Sequence, residues 1–401
     1  MLLEFSCSNF KSIKEKVTFS AIATDDSKNE EFLRKFGDFR VLHTSVIYGP
    51  NGSGKSNLFK AIGFVRDLVL KSCEKKAGEV LKQPRHKMAS QDEKSEFNIQ
   101  FIMGDVRYAY GFVLKNNLVS EEYLYYFARE REEREEIVKV FEREEGEICL
   151  GEKFEENKVL LEITKDELGD NRLLLSCIGN KSGICEISDA FLFFKLHLVI
   201  HNMEVKSERE NCIRAMMENE EMRKLIISVF NELDSDIKDI RVEDGDEGPR
   251  VKVVYDEFET DLAYEESTGI NKLFDLVLPI VQSFVNGKVM IVDEIELNLH
   301  RNVSYKIINL FNTHLPNNSA QLIFTSHDIS LLSLNLFRND QIWFAQLGKD
   351  RATELYSLVE IKNIRADENI AKGYVMGRYG AVPIFKNNGG VVRWSLVSSE
   401  I

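Results

Sequence analysis

The chain has 401 residues, 43% of them hydrophobic and 29% charged, with a formal net charge of −14. This length suggests two to three structural units with a large core. The acidity argues against stable, non-specific duplex binding as the main activity, because a surface that grips DNA along its whole extent is normally basic.

The six cysteines (Cys7, Cys73, Cys149, Cys177, Cys185, Cys212) contain no C-x-x-C pair. They read as buried thiols in a reducing cytoplasm rather than a zinc ribbon or a secreted disulfide framework. Met1-Leu2-Leu3 meets Glu4 at once, so no signal peptide is expected. Asn9-Phe10-Lys11-Ser12 follows the first apolar run, Leu3 to Cys7. A local basic groove from Lys11, Lys14 and Lys16 with Arg34, Lys35 and Arg40 is compatible with the overall acidity.

Thr44-Ser45-Val46-Ile47-Tyr48 reads as a buried strand leading into Gly49-Pro50-Asn51-Gly52-Ser53-Gly54-Lys55-Ser56, a complete G-x-x-x-x-G-K-S phosphate-binding loop. A helix follows, from Asn57 onward, with Leu58, Ile62, Val65 and Val69 on one face. Glycines let consecutive N–H groups curl around phosphate oxygens, and the helix points its positive end at the same anion. In this pattern Lys55 reaches the β- and γ-phosphates and the Ser56 hydroxyl ligates Mg²⁺. The sequence therefore predicts binding of a nucleoside triphosphate, ATP or GTP, with Mg²⁺. Gln83, Gln91 and Gln100 are equal candidates for a further Mg²⁺ contact.

Phe97 to Ile102 and Val106 to Leu114 alternate as antiparallel strands around Gly104-Asp105, and Tyr123 to Phe127 reads as another. The charge run Arg129 to Glu136 is expected to be a solvated turn or helix face. The apolar stretch Ala190 to Ile200 is too short to span a bilayer. His197 and His201, four apart, could share a helix face, with core packing the favoured role. Residues 205–233 read as helical, and Asp244-Gly245-Asp246-Glu247-Gly248-Pro249 as a hairpin loop.

Glu265-Glu266-Ser267-Thr268-Gly269 precedes an amphipathic helix carrying Ile270, Leu273, Phe274, Val277, Val281 and Phe284. Ser267-x-Gly269 at a helix N-terminus can be an anion site or an ordinary serine cap. One helix later, Lys288 to Val292 is a buried strand ending in Asp293-Glu294. Asp293 would hold Mg²⁺ through water, and Glu294 would orient and deprotonate the attacking water. Gln321 to Ser326 is a second buried strand, ending at His327, which falls beside the γ-phosphate at the carboxyl end of a parallel sheet. The contiguous Ser326-His327-Asp328 is no hydrolase triad, because neighbours at a strand end point to different sides.

The order phosphate loop, Ser-x-Gly helix, acidic strand, histidine resembles the ABC-type ATPase heads that include SMC and RecF proteins. Leu3 to Ser12 is similar to the first strand of such heads, and Lys372 to Pro383 to the closing segment of a bacterial family of single-chain "AAA" ATPases. These are related to the ATPase half of OLD-family nucleases and to the ATPase subunit of the PARIS anti-phage system. The resemblance covers roughly residues 1–128 and 240–401, with Arg301 where a proline is common after Leu299-His300.

It implies an α/β phosphate-loop NTPase of ABC-head type with a small antiparallel β subdomain and an inserted, mainly helical lid. The expected divisions are 1–128, 129–240 and 241–401, the first and last together forming the head. It also implies a homodimer or higher homo-oligomer with ATP between heads, Ser267 and Gly269 reaching the other subunit's nucleotide, and no membrane partner. The leading function is a regulatory ATPase of bacterial anti-phage defence. It would sense a phage protein or nucleic acid and control an effector in trans, a TOPRIM-like or other nuclease. The alternative is a RecF/SMC-like DNA-repair ATPase. A transporter subunit is disfavoured, because the signature lacks a Gly-Gln continuation.

Overall fold

The computed structural model describes residues 1–382 apart from 27, 77, 131–133, 158–159, 161–167, 182, 202–206, 235, 246–247, 314–318, 334–335 and 366–367. A six-stranded sheet runs from edge to edge as Leu198–His201, Val289–Val292, Gln321–Thr325, Thr44–Tyr48, Ile342–Leu347 and Thr353–Ser357. The first five are parallel neighbours and the last pairs antiparallel. Strands covered on both faces read as unbroken apolar runs, and period 2 divides them. Ile47, Ile291 and Ile323 face one core, while Val46, Tyr48, Met290, Val292, Leu322 and Phe324 face the other.

The first core holds the helix Lys55–Lys71, whose Leu58, Ile62, Val65 and Val69 are buried with Phe10 and with Phe97 and Phe112 of a second sheet. That sheet is antiparallel and seven-stranded: Glu147–Leu150, Arg134–Glu144, Leu118–Glu130, Val106–Lys115, Ser95–Met103, Leu2–Cys7 and Val17–Ser20. The second core holds the helices Thr268–Asn286 and Arg301–Thr313, with Ser207–Glu218 and Glu220–Leu233 packed outside them. Together these give an α/β fold of phosphate-loop type with a separate antiparallel sheet.

Several expectations change. The antiparallel sheet is not small, and the insertion expected to be mainly helical from residue 129 opens with two strands, Arg134–Glu144 and Glu147–Leu150. Of the charge run, residues 129–130 and 134–136 lie in paired antiparallel strands rather than on a helix face, with Arg129 opposite Glu135, and residues 131–133 lie outside the described residues. Val140 and Phe141, both buried, fix the strand farther along, so the charged end needs no core of its own. The predicted helix over 205–233 is two helices, broken where Asn219 turns extended and its side chain caps Glu221 and Met222 N–H. Residues 205 and 206, Asp246-Glu247 of the hairpin loop, and Pro383 lie outside the described residues.

His197 and His201 share no helix: His197 ends a helical turn and His201 ends the strand Leu198–His201. His201 instead meets the Glu208 carboxylate through Nδ1 and Lys272 Nζ at 2.8 Å through Nε2. Cys7, Cys177 and Cys212 are buried as expected, but Cys149 and Cys185 are exposed. Among the described residues no helix is long and apolar enough to cross a membrane.

Candidate nucleotide site

The phosphate loop leaves the central strand Thr44–Tyr48 at Gly49 and enters its helix at Lys55. Gly52 and Gly54 have φ of 76° and 100°, a region where a Cβ is strained. A Cβ on Gly49 would also collide with the Ala345 carbonyl, and one on Gly54 with the Thr353 hydroxyl. The bare backbone is thus required both by its own dihedrals and by its neighbours.

The loop is braced from outside. Thr353 Oγ1 donates to Ser53 O at 3.0 Å and lies 2.7 Å from Ser12 Oγ, to which Asn57 Nδ2 donates at 2.7 Å. The Lys55 ammonium folds onto the loop, donating to Gly49 O at 2.7 Å and Pro50 O at 3.3 Å. Burial lowers the Lys55 pKa, against the opposing pull of Asp293, Glu294 and Glu296. Ser53 Oγ is buried without a partner.

The acidic pair follows the strand Val289–Val292, next to the strand Gln321–Thr325. Thr325 joins them: its hydroxyl donates to Asp293 Oδ1 at 2.6 Å and accepts the Glu294 N–H at 2.7 Å. Glu294 has φ of 52°, so the chain turns sharply and presents its carboxylate toward His327, 3.7 Å from Oε1 to Nε2. Burial, then the nearby Lys55 charge, lower the His327 pKa, while Glu296, Glu294 and Asp293 oppose them. The neutral imidazole is thereby favoured. Glu296 Oε1 accepts the His327 backbone N–H.

Lys55, Asp293, Glu294 and His327 thus stand together at the carboxyl ends of adjacent parallel strands, where ligands of open α/β sheets bind. Ser267 and Gly269 stand elsewhere. Ser267 caps the helix Thr268–Asn286, accepting from Ile270 N at 3.2 Å, and its side chain is exposed. Gly269 lies against Asn298 O. Arg301 is the first residue of its helix, the position at which proline fits a helix well, so its departure from the common proline leaves the helix start intact.

Gln83 and Gln100 are engaged away from the loop, by Ser95 and Arg107. Of the basic groove, Arg40 pairs with Asp25 and Arg34 donates to Ser319. Lys11, by contrast, lines a 630 Å³ cavity with Gly52, Asn57, Arg85, Lys87 and Arg351. Sequence reasoning missed Ser12, Thr325, Thr353 and Glu296 as parts of this site. Only Glu296 carried a local signal, a third acid two residues past Glu294.

The donor set fits Mg²⁺-nucleotide. Among the described residues no cluster of three or more His, Cys, Asp or Glu could cage a metal. A hydroxyl, one carboxylate and substrate phosphates are the usual holding arrangement for Mg²⁺. A phosphate loop with an acidic strand end and a following histidine defines a phosphate-loop ATPase.

The chain matches the family described as "AAA domain, putative AbiEii toxin, Type IV TA system" over residues 45–333, and it belongs to that family. No curated protein matches it. Among solved structures it is similar to an SmcHead bound to the C-winged helix domain of ScpA, at 15% identity and a TM-score of 0.44, covering 89% of this chain and 97% of that one. It is also similar to the SMC head domain from Thermotoga maritima, at 13% identity and a TM-score of 0.43, covering 89% and 98%.

Proposed function

We propose that this chain is the regulatory ATPase of a bacterial anti-phage defence system, hydrolysing ATP between two copies of itself and controlling a separate effector, a nuclease. The observation that supports the chemistry is the convergence of Lys55, Asp293, Glu294 and His327 beside a loop whose Gly49 and Gly54 leave no room for a side chain. The family's own description, an AAA domain of a putative toxin in a toxin–antitoxin system, supports a place in defence.

The residues Gly49 to Asn57 would cradle the phosphates, with Lys55 released from the Gly49 and Pro50 carbonyls to the β- and γ-phosphates. Ser56 and Asp293 would hold Mg²⁺, which when bound neutralises charge on the β- and γ-oxygens. Glu294 would orient the attacking water and take its proton as the bond to the γ-phosphorus forms and the bridging bond to ADP breaks. Neutral His327, held beside Glu294, would donate to a γ-phosphate oxygen.

The exposed Ser267 hydroxyl and the N–H groups of the helix it caps would meet the nucleotide of the partner copy, since no described contact brings them to their own phosphate loop. Mixing tests the shared site. Lys55→Ala should lose ATP binding, and Ser267→Arg should bind ATP but not turn it over. A mixture of the two should regain partial activity from one intact composite site per mixed dimer. No recovery at any ratio would overturn the shared site.

A further inference from the structure

We propose that Glu296 is a positioning residue for hydrolysis: one carboxylate oxygen fixes the backbone of His327, and the other is held as a buried acceptor without a partner. This rests on the reading of Glu294 and His327 given above and adds a third carboxylate to it.

Glu296 is placed by two short backbone bonds. Ile295 N donates to Thr325 O at 3.2 Å, and Leu297 N to Glu294 O at 3.0 Å, so the turn carrying Glu296 is pinned to the strand end that precedes His327. From there Oε1 accepts the His327 N–H. The segment carrying His327 is held on its other side by Tyr48, whose hydroxyl donates to Asp328 O at 3.0 Å, and by Ser326 Oγ, which accepts from Asp328 N at 3.0 Å. His327 itself is about one-third exposed and close to Glu294, so its backbone is fixed while its ring stays open to a ligand.

The second oxygen marks this as more than loop packing. Glu296 Oε2 is buried and has no hydrogen-bond partner. A carboxylate oxygen in that state is costly, and a residue serving only the loop could meet the same N–H as an amide. Its neighbours carry the site's chemistry: Glu296 is the largest of the carboxylate influences on His327 and also acts on Lys55 and Tyr48. Asp293 and Glu294 both lie at the strand end that Thr325 organises, whereas Glu296 alone among the three acids holds the histidine's main chain.

The test separates positioning from folding and from the ATPase reading itself. Wild-type protein is first assayed for Mg-ATP turnover; inactivity there sinks the ATPase reading and leaves Glu296 without a reaction to position. Given active wild type, Glu296→Ala should lower kcat about tenfold or more with ATP affinity changed less than about threefold, because the lost bond acts on the sensing histidine and not on the phosphate loop. Amide exchange at His327 should quicken in the same variant.

Glu296→Gln, which keeps an acceptor for the His327 N–H, should restore slow exchange and recover part of the lost kcat. Unchanged kcat in Glu296→Ala, or a matched fall in affinity and kcat, overturns the proposal. If the alanine variant does not fold, the glutamine variant decides: fast His327 exchange in it, or turnover equal to wild type, overturns the role given to one oxygen or the other.

Discussion

Two carboxylates, one in each half of the molecule, are satisfied to very different degrees. Glu122, in the antiparallel sheet, is fully enclosed. Its Oε1 accepts from Tyr110 OH and Leu175 N, both at 3.0 Å, and its Oε2 from Leu174 N at 2.6 Å, so it caps the short helix Leu174–Ile178. Glu296, at the nucleotide edge of the parallel sheet, uses one oxygen and leaves the other bare. The antiparallel half uses its buried acid to hold a helix to a sheet. In the parallel half Glu296 Oε2 and Ser53 Oγ have no partner; in the antiparallel half, among the described residues, the unpartnered buried atoms are guanidinium nitrogens, Arg107 Nε and Arg143 Nε, and no carboxylate oxygen. An unmet buried polar group is no marker of a ligand by itself; at Ser53 and Glu296 it coincides with the phosphate loop and the acidic strand end.

The comparison breaks most sharply at Glu294. Glu294→Gln keeps size and hydrogen bonding but removes the base, and turnover should fall by about two orders of magnitude or more with ATP binding spared. ATP would then persist between the heads and hold them closed, measurable as a longer-lived dimer. If hydrolysis releases the effector, this variant should retain its partner and fail in defence. If ATP loading is the trigger, it should be toxic without infection. Wild-type turnover would refute the assignment.

At Glu122 the effect should be on stability rather than on chemistry. Glu122→Ala strands three donors and should lower unfolding free energy by about 2 kcal/mol in urea melts, with kcat per folded molecule unchanged. Burial raises the Glu122 pKa, so the native state binds its proton more tightly than the unfolded chain. Stability from this group is therefore greatest below the ordinary carboxylate range and declines as pH rises through the raised value. Glu122→Gln should remove that decline. A pH–stability slope equal to wild type in this variant would show that Glu122 is not its source.

Legibility in the sequence follows the same division. The phosphate loop, Asp293-Glu294 and His327 were readable because each is a strand end followed by a fixed residue type, and strand ends of a parallel sheet converge whatever the loops do. The strand Arg134–Glu144 was hidden by its own charges: Glu135 is held by an ion pair with Arg107 rather than by apolar packing, so its inward position carries no hydrophobic signal. The helix break at Asn219 was hidden because helical periodicity resumes directly after it. Glu122 gives no sign of burial in sequence; its neighbours Glu121 and Tyr123 are those of an ordinary solvated strand. Ser12 and Thr353 are commonplace hydroxyls whose meaning depends on a contact that closes only when the sheet's last hairpin has formed.

That last contact gives the smallest and most discriminating effect. Thr353 Oγ1 reaches Ser53 O from 300 positions away in the chain, and its main-chain N–H donates to Ser12 O at 2.7 Å. It leaves the Gly54 backbone no room for a side chain, so loop, N-terminal segment and edge hairpin form one unit. Thr353→Val keeps the branched shape on a strand and removes only the hydroxyl. Valine loses both hydroxyl contacts, to Ser53 O and to Ser12 Oγ, but only the first touches the phosphate loop; one such hydrogen bond is worth about 1 kcal/mol, which predicts an ATP dissociation constant raised about fivefold. Thr353→Ser keeps the hydroxyl and should stay near wild type in nucleotide affinity. Calorimetric affinities that do not separate valine from serine would mean that the loop's conformation is set by its own glycines, and that the brace from the far hairpin only fills space.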